Sequence, residues 1–517
     1  MYLWLHNFVT YSNKAVTRDE IISKEVKTVP IKTGAQYIER IDRQNINIWY
    51  QGARIKGPLS KHPAFRGLMQ TQADLYDMQC DERYLPVMTY PSPETGEPVG
   101  LSFLPPKNAE DIQRRSAMMK LWSNKHHGFL GRSPDYMNTA IMSLFTAADI
   151  LEEHHPQYAD NLRKYYAYCR DHDITLSHAF IQPYASNLSG QIDEAEEAIA
   201  AKVLEVTTEG MVISGAFMMS TQGATCEEML VFPTPPPALF AEENPFAFAF
   251  AVPNDLPGMS FICRESYAAP SSYDHPLSSR YEEMDTLVIF DRVLVPHERI
   301  FYHGDETYGY RLFGESHFHT HMAHQITTRY IAKTEFFLGL LETLADEQNI
   351  GLEPHIVQQV SRIITFLETF KALRLASEAG AVQDQFGYFV PATGPLLASS
   401  ILFPKWYPEM VEMIQMLGSS GLIMIPSESD FRSESEAYLR QYLKGTDTEA
   451  RERNALFRLA WEIGAGAFGG RQTQFERFFF GNSQTAAKRM YNSYDHHEHL
   501  RTLIREFIAT PEPPSPG

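Results

Sequence analysis

The sequence predicts an α+β protein in three parts: a helical N-terminal domain, an antiparallel β middle domain and a C-terminal helical bundle. Three observations carry this expectation. Helically spaced apolar residues are mixed with turn-rich stretches up to about residue 180. Short apolar and alternating runs crowd residues 200 to 300, and helical spacing returns beyond about residue 320. A chain of 517 residues also exceeds one simple core, so several packed domains able to enclose a deep pocket are expected.

In the first part, apolar spacing predicts helices at Ala109–Ser123 and Thr139–Glu152. The prolines of Tyr90-Pro-Ser-Pro and Leu104-Pro-Pro mark loops, because proline fixes φ and removes a backbone donor. In the middle part, Ala201–Val206 and Met211–Ser214 flank a Thr-Thr-Glu-Gly turn. Phe246–Val252 alternates large and small residues, and Met259–Cys263, Thr286–Phe290 and Arg292–Pro296 complete a set of strands. In the last part, Ile356, Val360, Ile363, Ile364, Leu367 and Phe370 form a buried helical stripe, with helices expected at Met322–Glu347, Leu402–Leu417 and Ala450–Ile463 beside it. The expected divisions are an extension at 1–30, a helical domain at 31–184, a β domain at 185–305, and a bundle with a polar tail at 306–517.

Charge and cysteine usage narrow the function. Acidic residues outnumber basic ones 64 to 45, for a formal charge of −19, and no basic run interrupts the excess. Such a surface repels nucleic acid and anionic membrane. Cys80, Cys169, Cys226 and Cys263 stand far apart, without the spacing of a zinc site, an iron–sulfur cluster or a redox pair. Reduced thiols, no secretion signal and no bilayer-length apolar run give a cytoplasmic expectation.

Several motifs fail on context. Gly464-Ala-Gly-Ala-Phe-Gly469 spells a dinucleotide fingerprint but follows a helical stretch in place of a strand, so a nicotinamide cofactor has no expected home. His317, His321 and His324 share a helix face, with His319 between them, yet only Glu315 accompanies them. Satisfied histidines are the expectation over a metal site. His496-His-Glu-His499 reads as a solvated face, and no serine elbow suited to a hydrolase is present.

A different set of motifs carries the chemistry. Leu130-Gly-Arg-Ser-Pro-Asp-Tyr136 is followed by Leu176-Ser-His-Ala-Phe-Ile-Gln-Pro183, Ile213-Ser-Gly-Ala216, Pro276-Leu-Ser-Ser-Arg280 and Phe468-Gly-Gly-Arg471. With His62-Pro-Ala-Phe-Arg66 and Ser420-Gly-Leu-Ile423, this order resembles the oxygenase component of the 4-hydroxyphenylacetate 3-monooxygenase family from about Thr33 to about residue 500. The resemblance implies an acyl-CoA-dehydrogenase-like fold and a homotetramer. It also implies a two-component reaction, in which diffusible reduced FAD arrives from a separate NAD(P)H-dependent flavin reductase. The FAD reacts with dioxygen to form a flavin C4a-hydroperoxide, which hydroxylates a small phenolic substrate ortho to its oxygen.

Residue by residue, the resemblance makes His178 the base for the phenol, and Arg132 and Tyr136 the partners of its oxygen. A phenolate is the stronger nucleophile, and histidine titrates in the range needed to form it. Singly, an arginine is more often an ion-pair partner, a tyrosine a core aromatic and a histidine a satisfied side chain. If the segment is helical, one-turn spacing places Arg132 and Tyr136 on one face. Flavin contacts carried over are His178, Ala179, Phe180, Thr221, Phe479, Phe480, Gly481 and Asn482, although the Thr221 hydroxyl would equally satisfy a strand end. Substrate contacts add Phe180, Thr234 and Pro235. The loop Phe232-Pro-Thr-Pro-Pro-Pro-Ala238 departs from the small polar segment of arylacetate enzymes, since its prolines lack donors for a carboxylate. A different phenol is therefore an equal expectation. Competing readings on this scaffold are an acyl-CoA dehydrogenase, a hydroxyacyl-CoA dehydratase that needs cluster cysteines, and a non-catalytic interaction protein.

Overall fold

A computed structural model of the protein describes residues 30–183, 199–233, 243–481 and 483–509. Residues 1–29 of the expected extension at 1–30, Thr234, Pro235, Asn482 and the tail from 510 lie outside the described residues. The alternation in Phe246–Val252 explains how the two sheets meet the helices. Phe248, Phe250 and Val252 fill the core between the sheets, while Ala247, Ala249 and Ala251 face the helical core. Successive strand residues point to opposite faces, so large residues space the sheets and alanines let the helices approach.

The larger sheet orders its strands as Ala53–Arg54, Ile48–Tyr50, Met259–Cys263, Asp285–Pro296, Gly210–Thr221 and Lys202–Val206. The smaller sheet runs Ile300–Gly304, Asn244–Pro253, Glu228–Val231 and Leu176–Ala179. Most neighbours are antiparallel, as the sequence predicts, but two pairings are parallel. Ile48 pairs with Phe261, and His178 pairs with Leu230. In both, a short strand that precedes the β-rich region docks onto a later one, so both sheets draw on chain before residue 185. The segments at 286–290 and 292–296 form one strand, bulged between Phe290 and Val293, where Arg292 takes φ 51°.

The helices also depart from the expected bounds. The one expected at 139–152 begins at Pro134, which serves as N1 behind Ser133, and ends at Thr146; a 3₁₀ turn covers Ala148–Glu153. The one expected from Leu402 runs Thr393–Gly418 straight through Pro404 and Pro408. It packs against Phe318–Glu347 and Pro354–Ala379, and Ala450–Gly464 joins them in the bundle. On Pro354–Ala379, Ile364 faces solvent and Phe366 takes the buried position. Among the described residues, no helix is long and apolar enough to cross a membrane.

Candidate active site

Three short segments converge on a cavity of about 420 Å³, within the range of small-molecule sites. The first is Gly131–Tyr136. Tyr136 occupies the first turn of helix Pro134–Thr146, whereas Arg132 precedes its N-cap. They do not share a helix face, as the spacing had suggested. The Arg132 guanidinium instead lies over the Tyr136 ring, 4.2 Å from its centroid, in a cation–π stack. Its backbone is pinned on both sides. The Arg132 N–H donates to Glu283 at 2.7 Å, and its carbonyl accepts from Gln72 at 2.8 Å and Gln222 at 3.1 Å. Gly131 donates to the second Glu283 oxygen at 2.9 Å. A Cβ at Gly131 would meet the Phe475 ring at 2.2 Å, so this close approach requires glycine.

The second segment is the edge strand Leu176–Ala179 with Phe180 beyond it. Alternation directs His178 to the cavity and Ala179 into the core between the sheets. The His178 ring lies nearly parallel to Phe180 and Phe232, at centroid distances of 4.9 and 5.8 Å, with Tyr136 5.9 Å away. Burial, reinforced by the positive charge of Arg132, pushes the His178 imidazole well below the usual histidine range, so it is neutral. Its Nδ1, like the Nε of Arg132, is buried without a partner among the described residues. Native proteins rarely leave such atoms unsatisfied unless a ligand or water serves them.

The third segment follows helix Ala467–Phe478. Phe479, Phe480 and Gly481 line the cavity. Phe479 stacks on Phe475 at 4.5 Å, and the guanidinium groups of Arg132 and Arg329 lie 5.8 and 5.0 Å from its ring centroid. Phe313, Phe318 and His319 contribute further wall. The histidine group is thereby dispersed: His319 lines the cavity, buried His321 sits deeper in the same helix, and His324 bonds Glu378 at 3.0 Å. Among the described residues, no three His, Cys, Asp or Glu side chains come together to hold a metal. Thr221 stands apart from the cavity wall, its hydroxyl donating to Asp285 at 2.7 Å.

Comparison with known proteins finds relatives over nearly the whole chain. Residues 33–302 match the family model for the N-terminal part of 4-hydroxyphenylacetate 3-hydroxylase, and residues 310–509 match that for its C-terminal part. The chain belongs to the 4-hydroxyphenylacetate 3-hydroxylase family. It is 40% identical to the 4-hydroxyphenylacetate 3-monooxygenase oxygenase component of Thermus thermophilus, over 92% of this chain and 98% of that one. A solved structure of such an oxygenase complexed with FAD and 4-hydroxyphenylacetate superposes with a TM-score of 0.86 at 39% identity, covering 92% of this chain and 99% of that one. A more distant relative from Streptomyces globisporus is 30% identical over 87% of this chain and 85% of that one. It is a monooxygenase of a (3S)-3-amino-3-(3-chloro-4-hydroxyphenyl)propanoyl group on a peptidyl-carrier protein. A 4-hydroxybutyryl-CoA dehydratase of N. maritimus, 19% identical with a TM-score of 0.83 over 94% of this chain and 97% of that one, shares the fold alone.

Within the hydroxylase fold, several sequence motifs meet behind the cavity. Arg471, from the Phe-Gly-Gly-Arg motif, donates to Asp285 at 2.8 Å and to Glu283 at 3.4 Å. Burial alone would raise the Asp285 carboxyl, yet Arg471 and Arg264 outweigh it and hold it far below the carboxylate range. The Pro276–Arg280 motif leads directly into Glu283. Gly67, just after His62–Arg66, packs so close to Ser279 that a Cβ would sit 2.0 Å from its carbonyl oxygen. Glu283, Gln72 and Gln222, and Arg489 on the cavity wall, gave no signal in the sequence, because each acts through a fold contact that no local pattern encodes. His319 was visible only as one member of a histidine cluster.

Proposed function

We propose that the chain is the oxygenase component of a two-component flavin monooxygenase that hydroxylates a phenolic ring ortho to its oxygen. The observation that carries this reading is a neutral, buried His178 on the wall of an aromatic cavity, beside Tyr136 and an Arg132 whose backbone is fixed. A flat cofactor suits these residues: parallel rings at His178, Phe180 and Phe232 border the space, and the unpartnered His178 Nδ1 and Arg132 Nε await polar partners. Reduced FAD, delivered by a separate NAD(P)H-dependent reductase, supplies oxygen activation when bound. His178, Phe180, Thr221, Phe479, Phe480, Gly481 and Asn482 belong to its proposed surroundings, and Ala179 contributes backbone only.

The protein's own residues prepare the substrate. Neutral His178 accepts the phenol proton, which a protonated histidine could not do. Arg132 remains charged and balances the phenolate that results, while Tyr136 can donate a hydrogen bond without adding charge. The aromatic wall keeps water from the site and so strengthens both interactions. Thr234 and Pro235 complete the proposed substrate contacts. A homotetramer located in the cytoplasm and the division at 31–184, 185–305 and 306–517 form part of the same proposal.

The test is to mix the purified chain with reduced FAD and a panel of phenols in air, and to identify products by mass. A catechol is expected. His178→Ala should lower its formation by about 10²- to 10⁴-fold while reduced FAD still binds. Oxidation of nicotinamide by the chain alone, or turnover undiminished in the variant at neutral pH, would overturn the proposal.

A further inference from the structure

Arg489 lines the same cavity from helix Ser483–Asn492, with its guanidinium 5.5 Å from the Phe480 ring centroid. Its surroundings set it apart from the ion-paired arginines of the neighbouring network. Arg329 is paired with Glu476, Arg471 with Asp285 and Arg264 with Glu282. Among the described residues, no carboxylate, carbonyl or hydroxyl pairs with Arg489. Burial alone lowers its pKa, with no neighbouring negative charge in opposition. A half-buried cation without a counter-charge is costly, and an anion entering the cavity would remove that cost.

We infer that Arg489 is a specificity-determining residue, which pairs with a carboxylate substituent on the phenolic substrate. The inference rests on the phenol-hydroxylase reading of the cavity. Along the wall, ring contacts run from His178 to Phe232, Phe318, His319 and Phe480, and Arg489 lies beyond them. One group thus meets the phenol oxygen, and the other a charge carried elsewhere on the ring. His319 complements this role: burial, together with the charge of Arg489, pulls it down to about 3, so it is neutral and adds no second cation. The planar guanidinium fork matches a carboxylate. In the segment 232–238, Pro233, Pro235, Pro236 and Pro237 lack backbone donors, and Thr234 is its one polar side chain.

The deciding measurement compares 4-hydroxyphenylacetate with its uncharged amide in wild type, Arg489→Gln and Arg489→Lys, together with anaerobic titration of each protein with reduced FAD. Wild type should favour the acid over the amide in KM. Arg489→Gln should raise KM for the acid by roughly 10- to 100-fold, the range for a hydrogen bond to a charged group, and move that for the amide less than about 3-fold. Arg489→Lys should recover part of the preference. Equal KM shifts for acid and amide would overturn the assignment, as would weaker binding of reduced FAD in Arg489→Gln, which would point to a cofactor phosphate. If Arg489→Gln does not fold, the wild-type preference and Arg489→Lys decide alone, and a wild type indifferent to the charge overturns the inference. A wild type that hydroxylates neither these two compounds nor any other phenol of the panel overturns the phenol-hydroxylase reading itself, whereas activity on acid and amide without preference overturns only the role of Arg489.

Discussion

Arg132 performs two tasks that a lysine could not combine. Its flat guanidinium stacks on Tyr136 at 4.2 Å while a terminal nitrogen donates to the Gly131 carbonyl at 3.0 Å, and its Nε has no partner among the described residues. An ammonium would keep the charge but lose both the plane and the fork. Arg132→Lys is therefore expected to fold normally, since Glu283, Gln72 and Gln222 hold the backbone at this position and not the side chain. Its turnover should fall by about 10-fold or more, the equivalent of one charge-assisted hydrogen bond. Circular dichroism and steady-state product formation check the two halves of this expectation. Wild-type turnover in the variant would show that charge alone suffices.

At the scale of elements, the short turn before strand Asp285–Pro296 organises the site without touching the cavity. Glu283 accepts from Gly131, Arg132, Gln222 and Arg471, and so ties the arginine-bearing loop to the β domain and to helix Ala467–Phe478. Glu283→Gln would remove a fully buried charge and turn an amide donor toward at least one N–H. Loss of one partner from such a network costs about 3 kcal/mol or more. Urea unfolding should show this loss, and activity should fall with it because Arg132 loses its anchor. Stability equal to wild type would show that the network carries no weight. These elements also show what the sequence could reveal. The alternation in 246–252 was legible because both faces of one strand are buried by residues of different size. Strands Glu228–Val231 and Leu176–Ala179 were not, since four buried residues carry no period. The first two turns of helix Thr393–Gly418 were not legible, because Gly394 and Pro395 read as a turn, whereas proline within the first turn of a helix is tolerated. The motifs revealed His178, Arg132 and Tyr136, but not the carboxylate that anchors the loop of Arg132.

Across the whole molecule, the buried histidines set a limit on acid stability. His126, His178 and His321 are all pushed well below the ordinary value of 6.5, in each case first by burial and then by nearby positive charge. Below pH 6.5 the unfolded chain takes up protons at these three positions, whereas the native state does not. Stability therefore falls as pH falls, by at most about 1.4 kcal/mol per pH unit for each histidine. The surface opposes this trend. With a formal charge of −19 near neutrality, the native protein repels itself, and protonation of exposed groups relieves that strain as pH decreases. Exposed carboxylates, however, titrate near pH 4, well below the unfolded histidines, so the histidines dominate between pH 6.5 and 5. The urea midpoint should accordingly drop between pH 7.5 and 5.5, with little change between 7.5 and 7. His321→Asn lies away from the proposed chemistry and should make the drop shallower by the share of one histidine. A midpoint that holds or rises toward pH 5.5 would mean that surface repulsion, and not the buried imidazoles, governs stability in this range.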